Sequence, residues 1–361
     1  MSEKLSSKRI ANLDLIRAIA ICAVVIFHTV QMVGRDGFIS LSKFTHVGHY
    51  GVDLFFVLSG FLIGNLYWHE LIENGSVDIK RFILRRILRT YPPYLIALLL
   101  SFTAVWINRH QSFDFGYLFF FQNYYEQIPF FLVSWSLCIE EHFYILLPFT
   151  LYFIQNFKPK QVLFTLLALA IIPLILRLLF VKFNSNFSFG YYLTATHFRF
   201  EGLVLGVAAS HVFTYFPSIT NVLSQKLATL LIVSLAISIV PIAPSLPESF
   251  TYYFAPSIVA VIFCLLVISL SRSKPIGLAE NPVVKILAIS SYSIYLTHAL
   301  VIHVVLLIAN KLNINSLITW LMMISTIFVV GYLFYVFVEK SSLRWRDKLV
   351  PKNNKDIRLT R

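Results

Sequence analysis

The sequence predicts an all-α, polytopic integral membrane protein with about ten transmembrane helices. Three observations lead there. Of 361 residues, 58% are hydrophobic and only 13% charged, about half the charged share of an ordinary soluble domain. Apolar runs long enough to cross a bilayer recur along the whole chain. The basic residues collect in alternate connecting segments between those runs, which is how a membrane protein marks its inner side.

That distribution also accounts for the formal charge of +13, so no nucleic-acid partner is expected. Cys22, Cys138 and Cys264 fall inside apolar stretches, with neither a disulfide framework nor metal-ligand spacing, and no metal is expected. The opening MSEKLSSKR is short and polar, and the run after it has no small-residue cleavage pattern. The first run therefore reads as a retained helix.

The first helix is expected over residues 10–32. It is long enough to cross a bilayer, yet it carries Asp14, Arg17 and His28. Arg17 and His28 stand about three helical turns apart, on one face, at depths roughly 16 Å apart. Polar groups at such depth cost free energy unless they face protein or water, so that face should line something. The second helix is expected over 50–68, after a polar turn region at 34–49, with Asp53 near its start.

A basic segment with Lys80, Arg81, Arg85, Arg86 and Arg89 precedes a third helix expected from Tyr91 to Ile107. Pro92 and Pro93 would then sit in its first turn, where missing backbone donors cost nothing. Residues 108–128 form an aromatic loop suited to an interface. The remaining helices are expected at 130–154, 162–180, 198–213, 227–242, 254–270, 284–309 and 316–338. A linker at 181–196 and a basic tail complete the chain.

Ten crossings put both termini on one side. With the N-terminus inside, 22 of the 30 Lys and Arg residues lie in inner segments and seven in outer ones. N-in, C-in is the expected orientation. Arg17 then lies near the cytoplasmic side and His28 in the outer half. The segment WSLCIEEHFY places Trp135, Glu140, Glu141 and His142 in that outer half too. Asp53, Arg199 and Glu201 enter from the second and sixth helices, and His298 reaches mid-membrane with Tyr295 and Ser291 on its face.

Arg85, Arg86 and Arg89 with Arg17 would make a cationic mouth, and guanidinium groups suit phosphates. A histidine oriented by a carboxylate can deprotonate a hydroxyl or itself receive an acyl group. Arg199, Tyr295 or His298 would serve as donors to an oxyanion. Glu141, rather than Glu140, is expected to orient His28, since neighbouring helical residues point about 100° apart.

Plainer readings stand beside these. His28 would be an interhelical hydrogen bond, and the three arginines positive-inside anchors. Asp53 would cap its helix, Arg199 and Glu201 would form a local ion pair, and Glu339 would neutralise a nearby basic group. A transporter or flippase of a lipid-linked sugar or small polar solute is the alternative of a different class, although no inverted repeat is visible.

The sequence resembles the acyltransferase-3 family of bacterial integral-membrane acyltransferases over about residues 9–340. The likeness rests on Arg17 and His28, on GVDLFFVLSGFLIG from Gly51, and on RRILRTYPPY with Arg86, Arg89, Tyr91 and Pro92. WSLCIEEHFYILLP contributes Glu141, Phe143 and Tyr144; FRFEGLVLG contributes Arg199, Glu201 and Gly206; SYSIYLTHALV contributes Ser291, Tyr292, Tyr295 and His298.

The resemblance implies a transmembrane acyltransferase domain over 1–340, a basic cytoplasmic tail over 341–361, and residence in the bacterial cytoplasmic (inner) membrane. It implies a cytoplasmic acyl-CoA donor, usually acetyl-CoA. The acceptor would be a hydroxyl on a cell-surface or lipid-linked glycan such as lipopolysaccharide, or on a non-glycan small molecule. The resemblance supports His28 and Glu141 as catalytic and Arg17, Arg86 and Arg89 around the donor; the residue reading adds Arg85 to the donor side and places Asp53, Trp135, Arg199, Glu201, Tyr295 and His298 on the acceptor side. Larger relatives append an SGNH hydrolase-like domain, for which no room is expected here. Membrane lipids and glycan-assembly proteins are the expected partners.

Overall fold

A computed structural model describes residues 10–33, 46–110, 112–183, 194–242 and 247–351. The turn region at 34–45, most of the linker at 181–196 and the tail beyond 351 lie outside the described residues. Within them the chain is helical, with no strand.

The helices are α1 (Ala11–Val33), α2 (Tyr50–Asn74), α3 (Ile79–Arg109), α4 (Trp135–Ile154), α5 (Pro159–Phe183), α6 (Glu201–Tyr215) and α7 (Pro217–Leu223). They continue with α8 (Lys226–Ile242), α9 (Glu248–Tyr253), α10 (Ala255–Arg272), α11 (Pro282–Lys311), α12 (Ser316–Phe334) and α13 (Lys340–Leu349). Each of the ten expected spans falls on one of these helices. Among the described residues, eight are long and apolar enough to cross a membrane, or nine if the pair α6–α7, bent by 108°, counts as one span. The chain is thus a polytopic all-α membrane protein.

α3 departs from expectation. It starts at Ile79, not near Tyr91, because the Asp78 side chain caps it by accepting from the Arg81 N–H at 3.0 Å. Arg81 also pairs with Glu70 at 2.6 Å. Lys80, Arg81, Arg85, Arg86 and Arg89 therefore ride on its first three turns, and Pro92 and Pro93 lie inside the helix. There they leave the carbonyls of Leu88 and Arg89 without their intrahelical donors.

α2 and α6 form the tightest helix pair. A Cβ built on Gly206 would meet the Phe61 backbone nitrogen at 2.7 Å and the Gly60 Cα at 2.9 Å. Only hydrogen fits, and the two backbones touch, as small residues allow between membrane helices. α1 packs against α2, α10, α11 and α12, which makes it central. Asn12 fixes its start: its amide donates to the carbonyls of Leu270, Ser273 and Lys274 at 3.1–3.2 Å and accepts from the Ile276 N–H at 2.9 Å. One side chain thereby satisfies the end of α10 and ties it to α1.

Between α12 and α13 lies a π-helical turn, Tyr335–Glu339. It seats Glu339, 3% exposed, against α11, where Ser293 donates to its Oε2 at 2.6 Å.

Candidate active site

Two polar zones occupy the interior. The first surrounds His28 on α1. Its Nδ1 lies 3.0 Å from the Val24 carbonyl. A carbonyl only accepts, so Nδ1 carries the proton and the neutral ring presents a bare Nε2. His298 on α11 is in ring contact, centroid to centroid 5.0 Å. Its Nδ1 donates to the Tyr295 carbonyl at 2.6 Å, and its buried Nε2 has no partner among the described residues. Two imidazoles thus stand side by side, each pinned in the same tautomer by its own helix. The histidine pair is the feature sequence reasoning missed, because spacing within α1 and α11 says nothing about their register against each other.

The first turn of α4 extends this zone. The Tyr295 hydroxyl donates to the Val133 carbonyl at 2.8 Å and lies 2.6 Å from Ser136 Oγ. The adjacent Trp135 ring carries the Arg199 guanidinium 5.4 Å from its centroid, and Arg199 pairs with Asp53 at 2.8 Å. Asp53 Oδ2 and Arg199 Nε remain buried and unpartnered. Asp53, Trp135, Arg199, Tyr295, His298 and His28 therefore form one connected series.

Several expectations are corrected here. Asp53 makes no side-chain cap on α2, since Arg199 takes its carboxylate. Arg199 and Glu201 do not pair. Glu201 instead meets Arg177 at 2.7 Å, and Ser257 donates to it at 3.3 Å. Arg199 closes the short turn at Thr196–Phe198 with non-helical backbone, while Glu201 opens α6, so the two side chains leave the chain on separate elements. Tyr295 is an unsuitable oxyanion donor in this arrangement, because its proton goes to Val133.

The second zone surrounds the arginines of α3. Arg17 lies 3.7 Å from Asp14. Glu140 accepts from the Tyr144 hydroxyl at 2.7 Å, and Tyr144 in turn bonds Ser59. Glu140 interacts electrostatically with Arg89, Arg86 and Arg17. Among the described residues Glu141 makes no hydrogen bond or ion pair with His28; it lies within hydrogen-bonding reach of Thr90 and in the field of Arg86. Both acids therefore face the arginine zone. Glu339 joins them, in the fields of Arg89 and Arg17, in keeping with its neutralising role. Arg85 turns aside, pairing with Asp347 of α13 at 2.8 Å and bonding the Val350 carbonyl.

The zones meet where α3 crosses α11: the Tyr292 hydroxyl donates to the Thr90 carbonyl at 2.8 Å. Two shallow, open hollows lie elsewhere, along α5 beside Phe164 and beside Phe180.

Fold and interior together define a class: a multi-pass helical membrane protein with an imidazole pair, half-buried His28 beside buried His298, and a separate arginine–carboxylate zone. The chain belongs to the acyltransferase-3 family, whose acyltransferase-domain model matches residues 10–336. It is similar to a Staphylococcus aureus (strain COL) protein that bears a provisional O-acetyltransferase name, 25% identical over 95% of this chain and 60% of the relative. It is also similar to the O-acetyltransferase OatA of S. aureus strain NCTC 8325, 29% identical over 65% of this chain and 39% of the relative. The chain spans about three-fifths of the length of the first of these. No solved structure matches it significantly.

Proposed function

We propose that this protein transfers an acyl group, acetyl by preference, from cytoplasmic acyl-CoA to a hydroxyl of a cell-surface or lipid-linked glycan. Its place would be the bacterial cytoplasmic membrane. The observation that carries the reading is His28: its Nδ1 proton is committed to Val24, so Nε2 is the basic nitrogen, on a half-buried side chain that borders the buried His298 imidazole. Such a nitrogen either removes the acceptor's hydroxyl proton as it attacks the thioester or takes the acyl group itself. Family membership and the O-acetyltransferase names of relatives supply the reaction class.

Arg17, Arg86 and Arg89 would hold the donor's phosphates. Asp53, Arg199 and Trp135 suit the acceptor, since an aromatic face beside unpartnered polar atoms matches a polyhydroxylated ring. Glu140 and Glu141 are assigned to the arginine zone, where they balance its charge between turnovers, rather than to orienting the base.

The test is acetyl-CoA hydrolysis and transfer by purified protein. His28→Ala should abolish both, by at least a thousandfold, with an unchanged thermal unfolding midpoint; ordinary turnover in that variant would remove His28 from the chemistry. Arg86→Ala and Arg89→Ala should each weaken CoA binding about tenfold by isothermal titration, consistent with losing a charge-assisted contact. Mass analysis of surface glycans from cells with and without the protein would identify the acceptor.

A further inference from the structure

α13 carries five charged side chains of which one behaves differently from its neighbours in sequence. Lys340, Arg344 and Lys348 are exposed, as expected for a basic helix at a membrane surface. Arg346 is only 14% exposed. It shares a face with Glu339, Leu343 and Val350, at spacings of three and four residues, and that face packs on α3.

Asp347 sets the geometry. Its Oδ1 accepts from Arg346 through Nε at 2.9 Å and Nη2 at 2.7 Å, and from Arg85 Nη2 at 2.8 Å. One carboxylate oxygen therefore holds two guanidinium groups from different helices. Arg346 lies within the electrostatic reach of Arg85 and Arg89, and Arg86 within that of Arg346. Four guanidiniums thus converge where α13 crosses α3. The side chains of Arg86 and Arg89 have no hydrogen-bonded or ion-paired partner among the described residues. Like charges this close repel, and although Glu140, Glu141 and Glu339 lie in the fields of Arg86 and Arg89, among the described residues they do not engage those two guanidinium forks. A ligand with several anionic oxygens would, and guanidinium forks match phosphate oxygens two at a time.

We propose that Arg346 is a further phosphate-binding residue of the donor site, and that Asp347, itself anchored by Arg85, is the positioning residue that holds Arg346 there. The assignment rests on the reading of the donor as an acyl-CoA, whose diphosphate and ribose phosphate supply the anionic oxygens. It makes α13 a part of the site that sequence reasoning treated as tail.

The experiment titrates CoA into the full chain purified in detergent, and compares two thioester donors kinetically. Arg346→Ala should weaken CoA binding about tenfold and raise the KM for acetyl-CoA similarly. S-acetylpantetheine, which lacks phosphates, should turn over in that variant as in the wild type. Arg346→Lys should recover part of the loss as a point charge, and Asp347→Asn should lose several-fold in CoA affinity with the pantetheine donor again unaffected. Wild-type CoA affinity in Arg346→Ala, beside a weakened Arg86→Ala, overturns the assignment and leaves the donor reading standing. Equal losses with both donors overturn it too, since they mark a structural role. A wild-type chain that binds no CoA overturns the donor reading itself.

Discussion

Arg177 shows how a single charge in an apolar helix organises its neighbours. It is fully buried on α5. It donates to the carbonyls of Phe198 and Tyr253, to Ser257 and to Glu201, so it joins α5 to α6, α9 and α10. Removing one member of a buried pair strands the other, at a cost of about 3–5 kcal/mol. Arg177→Met should lower the unfolding midpoint sharply, and Arg177→Met with Glu201→Gln should recover part of the loss; additive losses in that double variant would show that the pair is not coupled. The sequence holds a usable signal for it, a lone arginine within an apolar run. Residue types at the site were legible, as they must be when ionisable groups lie at membrane depth. Their partners were not. Asp53 with Arg199, Arg177 with Glu201, and His28 with His298 are all contacts between helices, set by rotation and register that hydropathy does not encode.

At the scale of elements, the helices were legible because apolar length is a strong signal. The start of α3 was not. Five basic residues lower the hydropathy of its first turns while favouring helix intrinsically, and the Asp78 cap is a local polar signal that a search for apolar runs passes over. The α2–α6 contact carries its own prediction. Gly206→Val would push two methyls and a Cβ into the backbone of α2, and overpacking of this kind typically costs about 1–3 kcal/mol, more where backbone must move. The variant should show a reduced unfolding midpoint and poor recovery from detergent. Gly75→Ala should be milder: that glycine closes α2 in the left-handed region at φ 74° with nothing within 4 Å of a new Cβ, so its cost is conformational alone.

For the whole molecule, the division of basic residues predicts that α13 faces the cytosol. A single cysteine introduced at Ser342 in a background lacking Cys22, Cys138 and Cys264 should react with a membrane-impermeant maleimide in inverted vesicles and not in intact cells; the reverse pattern would invert the assigned orientation. The arginine and histidine zones, proposed for donor and acceptor, meet at the contact between Tyr292 and the Thr90 carbonyl, beside the internal prolines of α3. Tyr292→Phe should therefore alter the exchange of acyl groups between zones more than CoA binding, with a several-fold fall in kcat and an unchanged Kd.

The π turn at Tyr335–Glu339 makes the C-terminal helix a matter of phase. One surplus residue in a helical path rotates everything beyond it by about 100°, and this rotation is what points Arg346 inward while Lys348 looks out. Deleting a single residue from the turn would keep both helices yet dial the wrong face towards α3. A shift in angle alone, without loss of any charged group, would then separate the last helix from the work of the bundle.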